Sequence, residues 1–348
     1  MRARVVTLGE IMLRLKPPGF ERFLQSPRFE ATFGGGEANV AVSLARFGVE
    51  TAFVTALPNN PIAEACIGDL RRYGVDTSHI VRSGERIGIY FLEAGANQRP
   101  SNVIYDRAHS SIATLGNDSF QFGQIFKGAD WFHITGITPA LSETAAELTL
   151  EAVRSAKENG LTVSCDYNYR SKLWKYGKTA PEVMREVVKW VDVGIANEED
   201  CQRSLGITTG EGDWAGAVKS GDLDQAKYEA LCERVMEAYP NLDMQAITLR
   251  ESHSASHNSW SACLHNGEDF FVAPRYEVTH IVDRVGGGDS FSAGLIYGLI
   301  TGMEDRSALH FAAAASCLKH SIVGDKNLST VPEVQNLTGG DSSGRVRR

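Results

Sequence analysis

The sequence predicts an α/β protein with a mostly parallel central sheet. Two observations carry that prediction. Short apolar runs bounded by turn residues alternate with longer amphipathic ones along most of the chain, the pattern of βαβ units. The 348 residues are also 43% hydrophobic, enough for the large core such a sheet requires.

The segments RVVTLG (from Arg4), TAFVTAL (Thr51), ADWFHITG (Ala129), LTVSCD (Leu161), WVDVGIAN (Trp190) and MQAITLR (Met244) read as buried strands. Between them IAEACIGDLRRYG, AAELTLEAVRSAKENG and PEVMREVVKWV carry a helical period, and the first two end on glycine. Polar residues close several strands: Asp166 to Arg170, Asn197 to Asp200, and Arg250 to His253. Ligands bind outside such strand ends in open α/β sheets. Two stretches, at about 12–33 and 86–108, are hairpin-like and lack a helical period. They predict a small β-sheet lid that shields a site from water; an edge extension or a contact between subunits fits the same pattern. SACLHNGEDFFV predicts a hairpin turning on Asn266 and Gly267. GITTGEGDWAGAVKSGDLDQ reads as a surface insertion. One domain is expected over 1–337, followed by a disordered tail over 338–348.

Composition narrows the class. The net charge of -8 argues against a nucleic-acid binder. The 6 cysteines are scattered and form no Cys-x-x-Cys, which points away from disulfide scaffolding and structural zinc. Without a long apolar run, no membrane partner is expected, and a cytoplasmic location is.

Three glycines, Gly286, Gly287 and Gly288, precede Asp289 and a small-residue helical run. Glycines opening a helix leave N–H groups free to face an anion. A tight turn with Asp289 as an early helix residue explains the same spacing. The run lacks the lysine of a P-loop and the spacing of a dinucleotide fingerprint. A second cluster, FGGGEANVAVSLARFG from Phe33, repeats the arrangement, with Asn39 in its first turns.

Together these two segments resemble the N- and C-terminal signatures of the ribokinase / phosphofructokinase-B carbohydrate kinases, in the family's order and spacing. The resemblance implies a ribokinase-like three-layer α/β/α fold, ATP and Mg²⁺ as cofactors, and a sugar as acceptor. It implies that the amides of Gly286 to Gly288 form an anion hole and that Asp289 is the general base. Arg284 and Gly287 replace the family's usual threonine and alanine; Arg284 is expected to face solvent, a phosphate contact being the alternative. ANEED resembles the family's Asn-x-x-Glu, with Asn197 at the nucleotide and Asp200 in the metal-organising place; a solvated acidic helix start is the alternative. Thr248, Arg250 and Ser252 fall where the nucleotide binds, and Asn327 where its adenine pocket closes. His253 and His257 are read as loop residues, not ligands. A monovalent cation near the anion-hole loop is common in the family, and nothing in the sequence excludes K⁺.

For the acceptor, the resemblance implies contacts from Gly34, Gly35, Asn39, Tyr90, Tyr105, Arg107, Asn168 and Arg170. Met12 and Arg14 stand where pentose kinases carry Asn and Asp. Tyr105 with Arg107, and Asn168 with Arg170, resemble the 2-keto-3-deoxygluconate kinases of the family. Two arginines suit a carboxylate, although either could instead serve an internal ion pair. The expected reaction is phosphorylation of a sugar acid at its terminal hydroxyl. Fructose is the alternative acceptor, and a non-catalytic sugar binder the alternative class. A homo-oligomer contact through the lid is expected.

Overall fold

The computed structural model describes residues 3–197, 199–208 and 225–341. Most of the expected insertion and residues 342–348 of the expected tail lie outside that set.

The strands are β1 (Arg4–Leu8), β2 (Met12–Lys16), β3 (Glu30–Gly34), β4 (Glu50–Val54), β5 (Ala56–Leu57), β6 (Val81–Arg82), β7 (Gly88–Glu93), β8 (Asn102–Asp106), β9 (Trp131–Thr135), β10 (Thr162–Asp166), β11 (Val193–Asn197), β12 (Met244–Ser252), β13 (Asn258–His265), β14 (Phe270–Val272) and β15 (Tyr276–Val278). The helices are α1 (Gly36–Arg46), α2 (Pro61–Arg72), α3 (Ser111–Thr114), α4 (Phe122–Ile125), α5 (Glu143–Glu158), α6 (Ala180–Val188), α7 (Gln225–Ala238), α8 (Gly287–Ile300), α9 (Asp305–Lys319) and α10 (Val331–Thr338).

Among the described residues the main sheet runs β14-β13-β12-β11-β10-β9-β1-β4, with β15 also on β13. From β4 to β12 every pairing is parallel, and β13, β14 and β15 add an antiparallel edge. Each predicted strand is present, with apolar side chains on both faces, as a sheet covered twice requires. One face packs on α5, α6 and α7 through Leu148, Val153, Val187 and Leu231. The other packs on α1, α8 and α9 through Val40, Phe291 and Leu309. The helices begin on local signals. Asn60 caps α2 by accepting from the Ala63 N–H at 2.9 Å, with Pro61 following. Ser142 caps α5 through the Ala145 N–H at 3.0 Å. Past α2 and α5 the chain reverses at Gly74 and Gly160, with φ of 86° and 78° that favour glycine.

The two hairpin-like stretches form a separate sheet in the order β3-β2-β7-β8. Each is an antiparallel pair, and a parallel β2–β7 ladder joins them, Met12 opposite Gly88. Among the described residues no helix is long and apolar enough to cross a membrane. β12 continues to Ser252, so Arg250 stands inside a strand opposite Trp260 rather than after it.

Candidate active site

The small sheet roofs a cavity of about 430 Å³ above the C-terminal ends of the parallel strands. Met12, Tyr90, Val103, Tyr105 and Arg107 come from the roof; Asp166, Asn168, Arg170, Asn197 and Thr248 come from strand ends. The starts of α1 and α8 form a wall, with Gly34, Gly35, Asn39, Gly286, Gly287, Gly288 and Asp289. Among the described residues no side chain caps either helix, so their positive dipole ends lie uncapped beside the cavity, with the Gly287 N–H bonded to the Arg284 carbonyl at 3.4 Å.

Each glycine has its own reason. Gly286 has φ 83°, and a Cβ there would collide with the Asp325 carbonyl. A Cβ on Gly288 would meet nothing within 4 Å and would project into open space. Gly34 and Gly35 are bare for packing: side chains there would collide with the Asp325 carboxylate and the Glu10 backbone.

Asp289 is joined to the first glycine cluster directly. Asn39 Nδ2 donates to its carboxylate at 2.7 Å. Burial pushes the Asp289 pKa up to about 6, opposed by that hydrogen bond and by the positive charges of Arg170 and Lys319. Beside it Asp166 and Asp200 are both buried. Asp200 accepts from the N–H groups of Tyr169 at 2.9 Å and Asn197 at 3.0 Å. Burial first, then repulsion from Asp200, raises Asp166 well above the carboxylate range. Asn168 sits at φ 31°, a left-handed conformation that asparagine tolerates better than most residues.

The two arginines differ. Arg107 is buried, and its Nε donates to Glu10 at 2.7 Å; its guanidinium also lies 5.3 Å from the Tyr105 ring centre. Arg170 is exposed and, among the described residues, donates only to its neighbour's carbonyl, that of Tyr169, at 3.0 Å. It feels the charges of Asp166, Asp200 and Asp289 without pairing with any of them.

Several sequence readings are corrected. Arg284 does not face solvent: it lines the cavity and ties down the carbonyls of Ser254 and Ala255 at 3.3 and 2.9 Å. Asn327 is buried away from the cavity, its amide donating to Ser290 at 2.7 Å. Ser252 is exposed and off the cavity wall. Arg14 is no pocket residue; it is 2% exposed and joins Asp283 to Asp325. Tyr90 lines the cavity, but its hydroxyl is committed to Asp325. His257 meets an acid that no local spacing supplies, Glu277 of β15 at 3.0 Å, which is already paired with Arg275.

Sequence reasoning missed Glu10 and Glu37. Glu10 is 3% exposed and lines the cavity, and its Oε1 has no hydrogen-bond partner among the described residues. Glu37 accepts from the Thr135 N–H and from the hydroxyls of Thr135 and Thr138, and burial pushes it up to about 7. Glu37 directly follows the first glycine cluster, whereas Glu10 follows a lone Gly9.

A doubly covered sheet, a separate β roof and a glycine-walled cavity between them define the ribokinase-like kinases. The model of the pfkB family carbohydrate kinases matches residues 2–330, and the chain belongs to that family. Among its relatives is the 2-dehydro-3-deoxygalactonokinase of Haloferax volcanii, 34% identical over 98% of this chain and 99% of its own. The 2-dehydro-3-deoxygluconokinase of Bacillus subtilis is 25% identical over 93% and 92%. The crystal structure of the 2-dehydro-3-deoxygluconokinase of Thermotoga maritima superposes with a TM-score of 0.91 at 47% identity, covering 98% of this chain and 99% of that one.

Proposed function

We propose that this kinase transfers the γ-phosphoryl group of ATP to the terminal hydroxyl of 2-dehydro-3-deoxygluconate, giving the 6-phosphate. The observation that carries the sugar-acid reading is Arg170, a cation on the cavity wall that no carboxylate of the described chain has claimed. It can take the acceptor's carboxylate as a charge-assisted, forked hydrogen bond. The Arg107–Glu10 pair then serves hydroxyls, with Glu10 Oε1 free to accept one.

Asp289 takes the proton of the attacking hydroxyl, and Asn39 holds its carboxylate in place. The amides of Gly286 to Gly288 face the charge that builds on the transferring phosphoryl group, for which positioning and electrostatics supply most of the catalysis. Asn197, Thr248, Arg250 and Arg284 also line the cavity and suit the nucleotide. Asp166 and Asp200 fit a divalent cation, because two buried carboxylates that repel each other gain from a positive charge between them. Bound with ATP, Mg²⁺ would neutralise phosphate charge; Asp200, already holding two N–H groups, would reach it through water.

The test is ADP release with 2-dehydro-3-deoxygluconate, its galactonate epimer and fructose, with Mg²⁺ or with EDTA. The expected result is a higher kcat/KM for a keto acid than for fructose, and no turnover in EDTA. A preference for fructose makes this a neutral-sugar kinase, and turnover of none makes it a binder.

We also infer a homo-oligomer contact on the outer face of the roof, where Phe29 and Ile104 are exposed. Sedimentation velocity is expected to show more than one chain per particle, and Ile104→Asp to shift it toward the monomer. A wild-type monomer at micromolar concentration would remove the inference.

A further inference from the structure

Lys319 is the last residue of α9 and is 0% exposed. Lysine is almost never buried so fully without a defined partner. Here its ammonium donates to two backbone carbonyls, Asp283 at 3.2 Å and Ile322 at 3.1 Å. Asp283 opens the loop that leads into Gly286, Gly287 and Gly288, and its own N–H bonds the His320 carbonyl one residue past Lys319. The ammonium therefore clamps the base of the glycine loop to the end of the following helix.

The surrounding acids already have cations of their own. Arg14 lies between the carboxylates of Asp283 and Asp325, both buried. With Lys319 this makes two cations facing three carboxylates beneath the loop, since Asp289 also acts on the ammonium. Asp325 also receives the Tyr90 hydroxyl, and the Gly324 N–H bonds Asp283 at 3.1 Å. A monovalent metal ion at the base of this loop would need backbone carbonyls as ligands, and the Asp283 carbonyl is already taken by the ammonium. It would also stand beside an ammonium that already serves these carboxylates, and two such cations repel each other. The residues present do not fit K⁺ there.

We propose that Lys319 is a built-in monovalent cation that holds the glycine loop in its anion-receiving shape, so that this kinase needs no K⁺. It is a positioning residue, acting through the backbone of Asp283 and not on substrate. The inference does not depend on which acceptor is used, since any sugar or sugar acid that the wild type phosphorylates serves in its test.

Turnover and melting temperature of the wild type are measured in KCl and in tetramethylammonium chloride at equal ionic strength, after exhaustive exchange. Both are expected to be the same in the two salts, within about twofold for kcat. Activation of tenfold by K⁺, or a melting temperature several degrees higher in KCl alone, overturns the proposal. The second arm is Lys319→Met, which keeps the length and removes the charge. A folded variant is expected to lose at least tenfold in kcat while the KM of the acceptor changes less than threefold, because the loop and not the sugar pocket is disturbed. A folded variant with wild-type kcat overturns the proposal as well. If Lys319→Met does not fold, the two-salt comparison on wild type still decides.

Discussion

Asp289→Asn is expected to lower kcat by ~10²–10⁴-fold, the usual worth of a positioned base, with the circular dichroism spectrum unchanged. The substitution keeps the shape, and the Asn39 amide still has a partner because either side chain can present an oxygen. What disappears is the capacity to take a proton. The same assignment fixes a pH profile. Burial raises Asp289 to about 6, and a base works only when deprotonated. The wild-type kcat/KM should thus be level above pH 6 and fall close to tenfold per unit below it. An Asn variant within a few-fold of wild type, or a profile flat down to pH 5, would remove Asp289 from the role.

Arg170→Ala should cost the keto acid roughly 10–100-fold in kcat/KM, since a charge-assisted bond is worth ~1.5–3 kcal/mol. Fructose should lose far less, having no carboxylate to release. Arg170→Lys should recover little, because an ammonium cannot form the planar fork. Arg107→Ala should behave differently. It strands Glu10, a buried carboxylate at 3% exposure, and so should weaken both acceptors alike and destabilise the fold. Equal losses on the two acceptors for Arg170→Ala would move the carboxylate contact elsewhere.

The strands, the helices and the lid were legible because each is written in a local period or a run of turn residues. The glycine loops were legible as motifs. What joins them was not. Asn39 and Asp289 are 250 residues apart, and no spacing rule links them. Arg14 looked like a pocket residue because it stands where pentose kinases carry a polar pocket residue, yet its partners Asp283 and Asp325 draw it into the interior. Arg107 and Arg170 carry the same chemistry in sequence; Glu10, 97 residues before Arg107, is what separates them. Arg284 and Asn327 were misplaced because the folding of one loop onto another decides which side of a chain meets the cavity.

The tie between Arg14 and Asp325 also has a consequence for biosynthesis. The two residues are 311 positions apart, so at ordinary translation rates of 5–20 residues per second the guanidinium is made roughly 15–60 s before its second carboxylate. During that interval the roof hairpin carries a charge whose buried partners, Asp283 and Asp325, have not both been made. Nascent chains stalled short of the Asp325 codon should therefore remain protease-sensitive at residues 12–34 while β9 to β11 are already protected. The enzyme would acquire its roof last, although the roof is encoded first.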